Sequence, residues 1–444
     1  MSMNREARGS GRASLACRTI GFAAALCFGA ATAAAQSGGG GQPAPESAST
    51  PKDPIARVLS ESKITIDARA RYEYADQDGP PGADPESSDA GTLRVRLGVL
   101  SPVIRGFQLF GELEHTEAAD RNSYYAATVH GPGDKTVIAD PETTELNQAW
   151  VSYTGFDSTA KLGRQRIKLD NDRFIGNVGW RQNEQTYDSI TIVNQSIPHL
   201  KLYYGYLWGV QRIFGDDRPS NLAFHDFDSR SHLVNAQYSR FPAAVITGYA
   251  YLLDLEDGRT GLAQHTPSNQ TYGVSLQGKL AATDDLSVGY YAEWATQEDY
   301  DDNPNRYDAD YIHVNASATF QSYTLKVGVE RLEGDNGVGF QTPLATLHAF
   351  NGWADVFLAT PADGLTDRYI GAMAGLPLGI TLQAWYHDFT PEGSGSDYGK
   401  EWNFAASKKL PYNIVALAKY ADFDSERTGF RDIKRFWFQL EYQY

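Results

Sequence analysis

Thiol chemistry is nearly absent from this chain of 444 residues, because its two cysteines, Cys17 and Cys27, both lie in the first 27 positions. The rest can build neither a disulfide framework nor a cysteine metal site. Long apolar runs are missing too: nothing beyond residue 35 approaches the roughly 20 residues that a membrane-spanning helix needs. Positive charge is the minority sign, 39 Lys and Arg against 55 Asp and Glu for a net charge of −16, which argues against nucleic acid as a partner. The chain also lacks G-x-S-x-G, H-E-x-x-H and a glycine-rich phosphate loop. Its nine histidines are scattered, and the dyads His225-Asp226 and His387-Asp388 have no evident serine partner. No catalytic residue, cofactor or metal ligand is therefore assigned. An enzyme site assembled from distant strands is kept as the minor alternative.

What is present begins with an export signal. Arg5, Arg8, Arg12 and Arg18 precede an apolar run from Ile20 to Ala30, and Ala33-Ala34-Ala35 follows as an A-x-A cleavage site. This reads as a secretory signal peptide over residues 1–35. Cys17 precedes the apolar run and Cys27 follows bulky Leu26, so a lipoprotein anchor is not expected. Removing four arginines and one glutamate takes the charge from −16 to −19. Residues 36–62 start with GGGG at 38–41 and PAPESASTP, a composition that buries too little apolar surface to fold. They are expected to form a flexible periplasmic leader, with the folded domain spanning 63–444.

From Ile64 the pattern changes to period two. Ile64, Ile66, Ala68, Ala70, Tyr72 and Tyr74 alternate with Thr65, Asp67, Arg69, Arg71 and Glu73. The same alternation recurs at Leu93–Val99, Leu286–Trp294 and Tyr323–Val329, marking half-apolar strands. A soluble sandwich and a membrane barrel share this pattern, but their connections differ. About eighteen strands can be drawn between 63–74 and 432–444. Tight joints at Pro102–Ile104, Gly155–Ser158, Pro198, Pro242, Ala281–Thr283, Gln321, Pro377 and Leu410–Pro411 alternate with long polar segments. Short periplasmic turns at one rim and long extracellular loops at the other produce that order, and Greek-key crossovers do not. The expected fold is all-β: a transmembrane antiparallel β-barrel of about 18 strands. Abundant Tyr (26), Phe (20) and Gly (42) suit it, as aromatic girdles and tight curvature require. Phe436, Phe438, Leu440, Tyr442 and Tyr444 close the chain in alternation, resembling the strand by which outer-membrane barrels are recognised for assembly.

The candidate lumen residues are arginines: Arg69, Arg71, Arg94, Arg96, Arg164, Arg166, Arg173 and Arg181. Inward guanidinium groups favour anions and bidentate carboxylate contacts. The competing expectation is a salt ladder, because Glu112 and Glu114 share the face of Arg94 and Arg96 across neighbouring strands. Acidic runs such as Glu298–Asn303 and Asp216-Asp217 fall in outer loops and read as solvated. The longest connection, about 334–365, carries His348, Phe350, Trp353 and Phe357 and could form a short amphipathic helix over 344–358. It either folds into the pore or caps its mouth.

Several segments resemble the alginate export family of outer-membrane barrels: Leu146–Tyr153 (LNQAWVSY), Leu162–Ile167 (LGRQRI), the Phe174–Ile190 stretch with Gly179-Trp-Arg-Gln182, and the long connection. The best match is Gly163, Arg164, Gln165 and Arg166. The resemblance implies an eighteen-stranded barrel with an arginine-lined channel that passes an anionic polysaccharide. The expected function is passive passage of an anionic or carbohydrate solute, alginate-type polysaccharide export included, in the cell outer membrane. A surface adhesin or receptor with a plugged barrel is the alternative, and an outer-membrane hydrolase a more remote one. Expected partners are outer-membrane lipid and lipopolysaccharide, the barrel assembly machinery and the solute.

Overall fold

Strict alternation of β-branched or aromatic residues with charged ones leaves each segment one arrangement that satisfies both faces. It is an extended strand with hydrocarbon on one side and water on the other. A computed structural model describes residues 54–79, 84–127, 129–215, 226–256, 266–393 and 395–444. The expected signal peptide, residues 36–53 of the leader, Asp216-Asp217 and His225 lie outside the described residues. The described end of the leader is a helix, Pro54–Glu61, with proline at the first position, where its missing N–H costs nothing. An i,i+4 pair between Arg57 and Glu61 at 3.1 Å supports it.

Eighteen long strands follow. They are β1 (Lys63–Gln77), β2 (Ser88–Leu100), β3 (Phe107–Ala118), β4 (Thr143–Gly155), β5 (Ser158–Gln165) and β6 (Thr186–Asn194). Next come β7 (Leu200–Gln211), β8 (Phe227–Phe241), β9 (Ala244–Leu253, continued by Leu255–Glu256), β10 (Asn269–Ala281), β11 (Leu286–Asp299) and β12 (Asp308–Phe320). The last six are β13 (Tyr323–Leu332), β14 (Leu365–Leu376), β15 (Ile380–Thr390), β16 (Gly399–Leu410), β17 (Ile414–Ser425) and β18 (Ile433–Gln443). Each pairs antiparallel with its sequence neighbours, and β1 pairs with β18 from Asp67↔Gln443 to Gln77↔Ile433. The sheet is therefore closed, which removes the edge that an apolar terminal strand would otherwise expose. Eight short turns alternate with nine longer connections around it.

Exposure separates the two faces. Leu97 (53%) and Leu325 (52%) look outward, while Arg94 (0%) and Glu330 (2%) look inward. In a soluble protein that arrangement would be inverted; here lipid surrounds the cylinder and the polar groups line its interior. The long connections 119–142, 166–185 and 333–364 fold into the lumen, as their hydrogen bonds to wall side chains establish. The helix expected over 344–358 does not form. A single 3-10 turn, Leu347–Ala349, stands there, because Asn351, Gly352 and Asp355 adopt positive φ, which ends any right-handed helix.

Candidate functional site in the lumen

The first two strands set an arginine wall. Arg69 and Arg71 on β1 and Arg94 and Arg96 on β2 alternate with outward Tyr72, Leu93 and Leu97. Arg69 and Arg94 are direct register partners, an opposition of like charges that destabilises a sheet unless neutralised. Glu441, the register partner of Arg69 on β18, bridges both, at 3.0 Å to Arg69 and 3.3 Å to Arg94. Asp67 also pairs with Arg94. Arg96 meets its register partner Glu114 and lies 3.6 Å from Glu184. The salt ladder is thus present, and carboxylates from β1, β3, β18 and the 166–185 connection supply it.

Those arginines also hold the 166–185 connection. Arg69 Nη1 donates to the carbonyls of Gly179, Trp180 and Arg181, each at 3.1 Å. Arg71 Nη2 donates to Trp180 O at 2.6 Å, its guanidinium lying 4.3 Å from the Trp180 ring. Arg96 donates to Gln182 O at 3.3 Å. A planar fork with five donors can pin irregular backbone in this way, which an ammonium cannot do with the same geometry. Arg166 pairs with Glu184. Burial alone would raise the Glu184 carboxyl, but Arg96 and Arg166 hold its pKa down to about 2.

The remaining expected residues join this connection to its neighbours. Arg173 reaches Glu330 on β13 at 2.7 Å and Asn351 Oδ1 at 3.0 Å. Arg181 bridges Glu73 at 3.3 Å and Asp355 at 2.6 Å. Arg164 is the exception. It shares strand parity with exposed Leu162 and faces out of the barrel, paired bidentately with Asp188 at 2.9 and 3.0 Å. The bulge at Asn147 on β4 and the regular register Ala149↔Arg164 put it there, so its expected lumen position is corrected.

The 333–364 connection docks through groups that the arginine pattern missed. His348 Nδ1 lies 2.7 Å from Asp355 and its Nε2 2.6 Å from Lys419 Nζ on β17. Burial pushes the imidazole down to about 3, so it is neutral, donating from Nδ1 and accepting at Nε2. Lys419 lies 3.7 Å from the Trp353 ring and 4.3 Å from that of Trp180, cation–π contacts strengthened by desolvation. Glu401 on β16 accepts from the amides of Trp353 and Ala354 at 2.5 and 2.9 Å. Gly352 is required beside it: its φ is +85°, and a Cβ would come within 2.3 Å of the Glu401 carboxylate. Arg435 donates to Ala354 O at 2.9 Å and pairs with Glu73 at 3.1 Å. Strand parity alone would have found Lys419, Glu401 and Arg435.

The opposite wall is aromatic. The rings of Tyr249 and Tyr251 on β9 and Tyr311 on β12 pack on Phe174 of the 166–185 connection, and Tyr291 on β11 accepts from Asn171 of the same connection at 3.2 Å. Glu293 accepts from Tyr249 at 2.8 Å and Tyr291 at 2.6 Å; Glu330 accepts from Tyr311 at 2.7 Å. Near the rim of long connections a cavity of about 640 Å³ is lined by Val178, Arg181, Phe214, Phe227, Val338 and His348, among others.

A closed eighteen-strand barrel with a polar lumen narrowed by its own long connections is the architecture of the outer-membrane porins. A model of the alginate export family matches residues 60–297, more than half of the chain, and the chain belongs to that family. Among solved structures it is similar to OpdQ of Pseudomonas aeruginosa, with 15% identity over 87% of this chain and 99% of the other and a TM-score of 0.65. It is similar also to OccAB3 of Acinetobacter baumannii, at 13% identity, 87% and 99% coverage and a TM-score of 0.68. A third is P. aeruginosa OpdK with vanillate, at 14% identity, 86% and 98% coverage and a TM-score of 0.64. At these identities the likeness establishes the fold. No curated protein matches the sequence.

Proposed function

We propose that this protein is an outer-membrane channel through which an anionic or carbohydrate solute passes down its gradient, and that it performs no catalysis of its own. The observation that carries this reading is the combination of a closed barrel with a charged interior into which folded connections dock. Polar lumen and apolar exterior are what a water path through lipid demands. The family description, alginate export, and the vanillate that accompanies OpdK both concern carboxylated solutes and support an anion. The signal peptide is cleaved after Ala35 in this reading. Outer-membrane lipid, lipopolysaccharide and the barrel assembly machinery are its cellular partners.

Purified protein in a planar lipid bilayer tests the proposal. Stepwise ion conductance is expected, and a mature N-terminus at Gln36 by mass spectrometry. Absence of any conductance would overturn the channel. The dense anchoring of the 333–364 connection favours one second reading, a receptor whose barrel is plugged. That reading predicts near-zero conductance in the intact protein, appearing only when the connection is shortened.

A further inference from the structure

The arginines inside the barrel each have carboxylate partners, so they contribute little free positive charge to a water path. The lysines differ. Lys161 on β5, Lys201 on β7, Lys279 on β10 and Lys326 on β13 each lie within four residues of a short turn. Each is flanked by an outward leucine: Leu162, Leu202, Leu280 and Leu325 are all exposed on the apolar face. Strand parity therefore aims all four ammonium groups inward. Among the described residues none of the four forms an ion pair or a side-chain hydrogen bond. Lys161 and Lys326 make only ring contacts, at 4.3 Å to Trp150 and 5.7 Å to Tyr369.

Three inward carboxylates nearby are occupied. Asp170 accepts from Asn235 at 2.8 Å and Tyr251 at 3.3 Å, Glu293 from two tyrosines, and Glu330 from Arg173, Tyr311 and Asn351. The chemistry of the two cations fits the division. A guanidinium fork locks onto fixed acceptors, whereas an ammonium on a flexible stem is a hydrated point charge that can engage and release a moving anion. Conduction needs sites of that weak, repeated kind. Strands lie about 4.8 Å apart, so successive lysines, two or three strands apart, stand roughly 10–15 Å from one another along the wall.

Resting on the channel reading above, we infer that Lys161, Lys201, Lys279 and Lys326 are the residues that set the anion preference of the pore, at its short-turn mouth, and that the arginine wall does not. The test is the reversal potential of single channels in a potassium chloride gradient. The wild type is expected to prefer chloride. The quadruple Lys→Gln variant is expected to lose that preference, its chloride-to-potassium permeability ratio falling by roughly threefold or more, while conductance persists. Lys201→Gln alone, at an exposed position, should move the ratio the same way by a smaller step. Heat-modifiable electrophoretic migration checks that each barrel is folded. A quadruple variant that conducts with the wild-type ratio overturns the inference and leaves the channel standing. Wild-type protein that does not conduct overturns both.

Discussion

The two walls of the lumen bury carboxylates by different means. On β1, β3 and β18, Glu73, Glu114 and Glu441 are met by guanidinium groups, and the donors left over reach the backbone of an inward connection. On β9–β12, Glu293 is met by the hydroxyls of Tyr249 and Tyr291, and among the described residues it forms no ion pair. A buried carboxylate needs hydrogen bonds more than it needs a counter-ion. The difference lies in what each donor can do next. A tyrosine donates once and packs, whereas an arginine donates up to five times and can stitch three chain segments together. The arginine wall is therefore where the pore is shaped, and the tyrosine wall is where the shaping segment rests, through Phe174.

The largest effect should come from removing what the arginine wall and its neighbours hold. Gly339 approaches the carbonyl oxygens of Thr360 and Pro361 closely, so a short glycine-serine link can replace residues 341–360 without moving the strands. Single-channel conductance should then rise by roughly threefold or more. An unchanged conductance would mean that the connection does not narrow the pore, and the contrast between the walls would lose its consequence.

Next in size is a paired comparison of stability. Arg96→Ala leaves Glu114 and Glu184 buried without their shared cation, and such orphaned charges cost about 3–5 kcal/mol. Tyr251→Phe removes hydrogen bonds to Asn235 and Asp170 but no charge, at a cost of about 1 kcal/mol. Urea unfolding in detergent micelles measures both. Equal costs would erase the distinction drawn between the walls.

Acid should loosen the docked connections by a smaller, graded amount. His348 is held at about 3 against an ordinary 6.5. Above 6.5 the imidazole is neutral whether docked or released, so docking is unaffected. Below it the released form takes a proton that the docked form refuses, and docking weakens progressively toward pH 3. Glu184 adds a second step. Its depressed pKa of about 2 against 4.5 stabilises docking above pH 4.5, and that stability is lost as pH falls toward 2. Conductance recorded from pH 7.5 to 4 should rise on acidification, beginning below 6.5, and His348→Gln should remove the upper part of the rise.

The barrel was legible in the residues because a period of two, repeated over β1, β2, β11 and β13, admits one fold once short and long connections alternate. Strand ends fell within a few residues of the expected bounds because Pro242, Pro377 and Pro411 mark the turns. The interior was less legible. Arg69, Arg71, Arg94 and Arg96 were placed inward by parity alone, and Glu114 was foreseen as a partner of this wall. That Gly179, Trp180 and Arg181 would lie across them was not, since backbone carbonyls carry no signature in a sequence. The helix expected over 344–358 failed for a related reason. Its apolar spacing fits a helix, but Glu401, far along the chain, fixes the amides of Trp353 and Ala354 in another geometry.

Arg164 offers the finest test, because it separates position from composition. It belongs to the segment that best matches the family and was expected beside Arg166 in the lumen. The bulge at Asn147 on β4 and its register with Ala149 turn it outward instead. Arg164→Gln removes a bidentate pair with Asp188, whose Oδ2 keeps a bond to Gln211 at 3.2 Å, so the loss in stability should stay below about 1 kcal/mol. Ion selectivity should not move at all. Arg166→Gln, two residues on and half-exposed inside, takes one neutralising partner from Glu184 and leaves the interior more negative by one charge, so it should shift the reversal potential toward potassium. A shift of equal size in Arg164→Gln would place that guanidinium in the ion path, and the inside and outside of β5 would have to be exchanged.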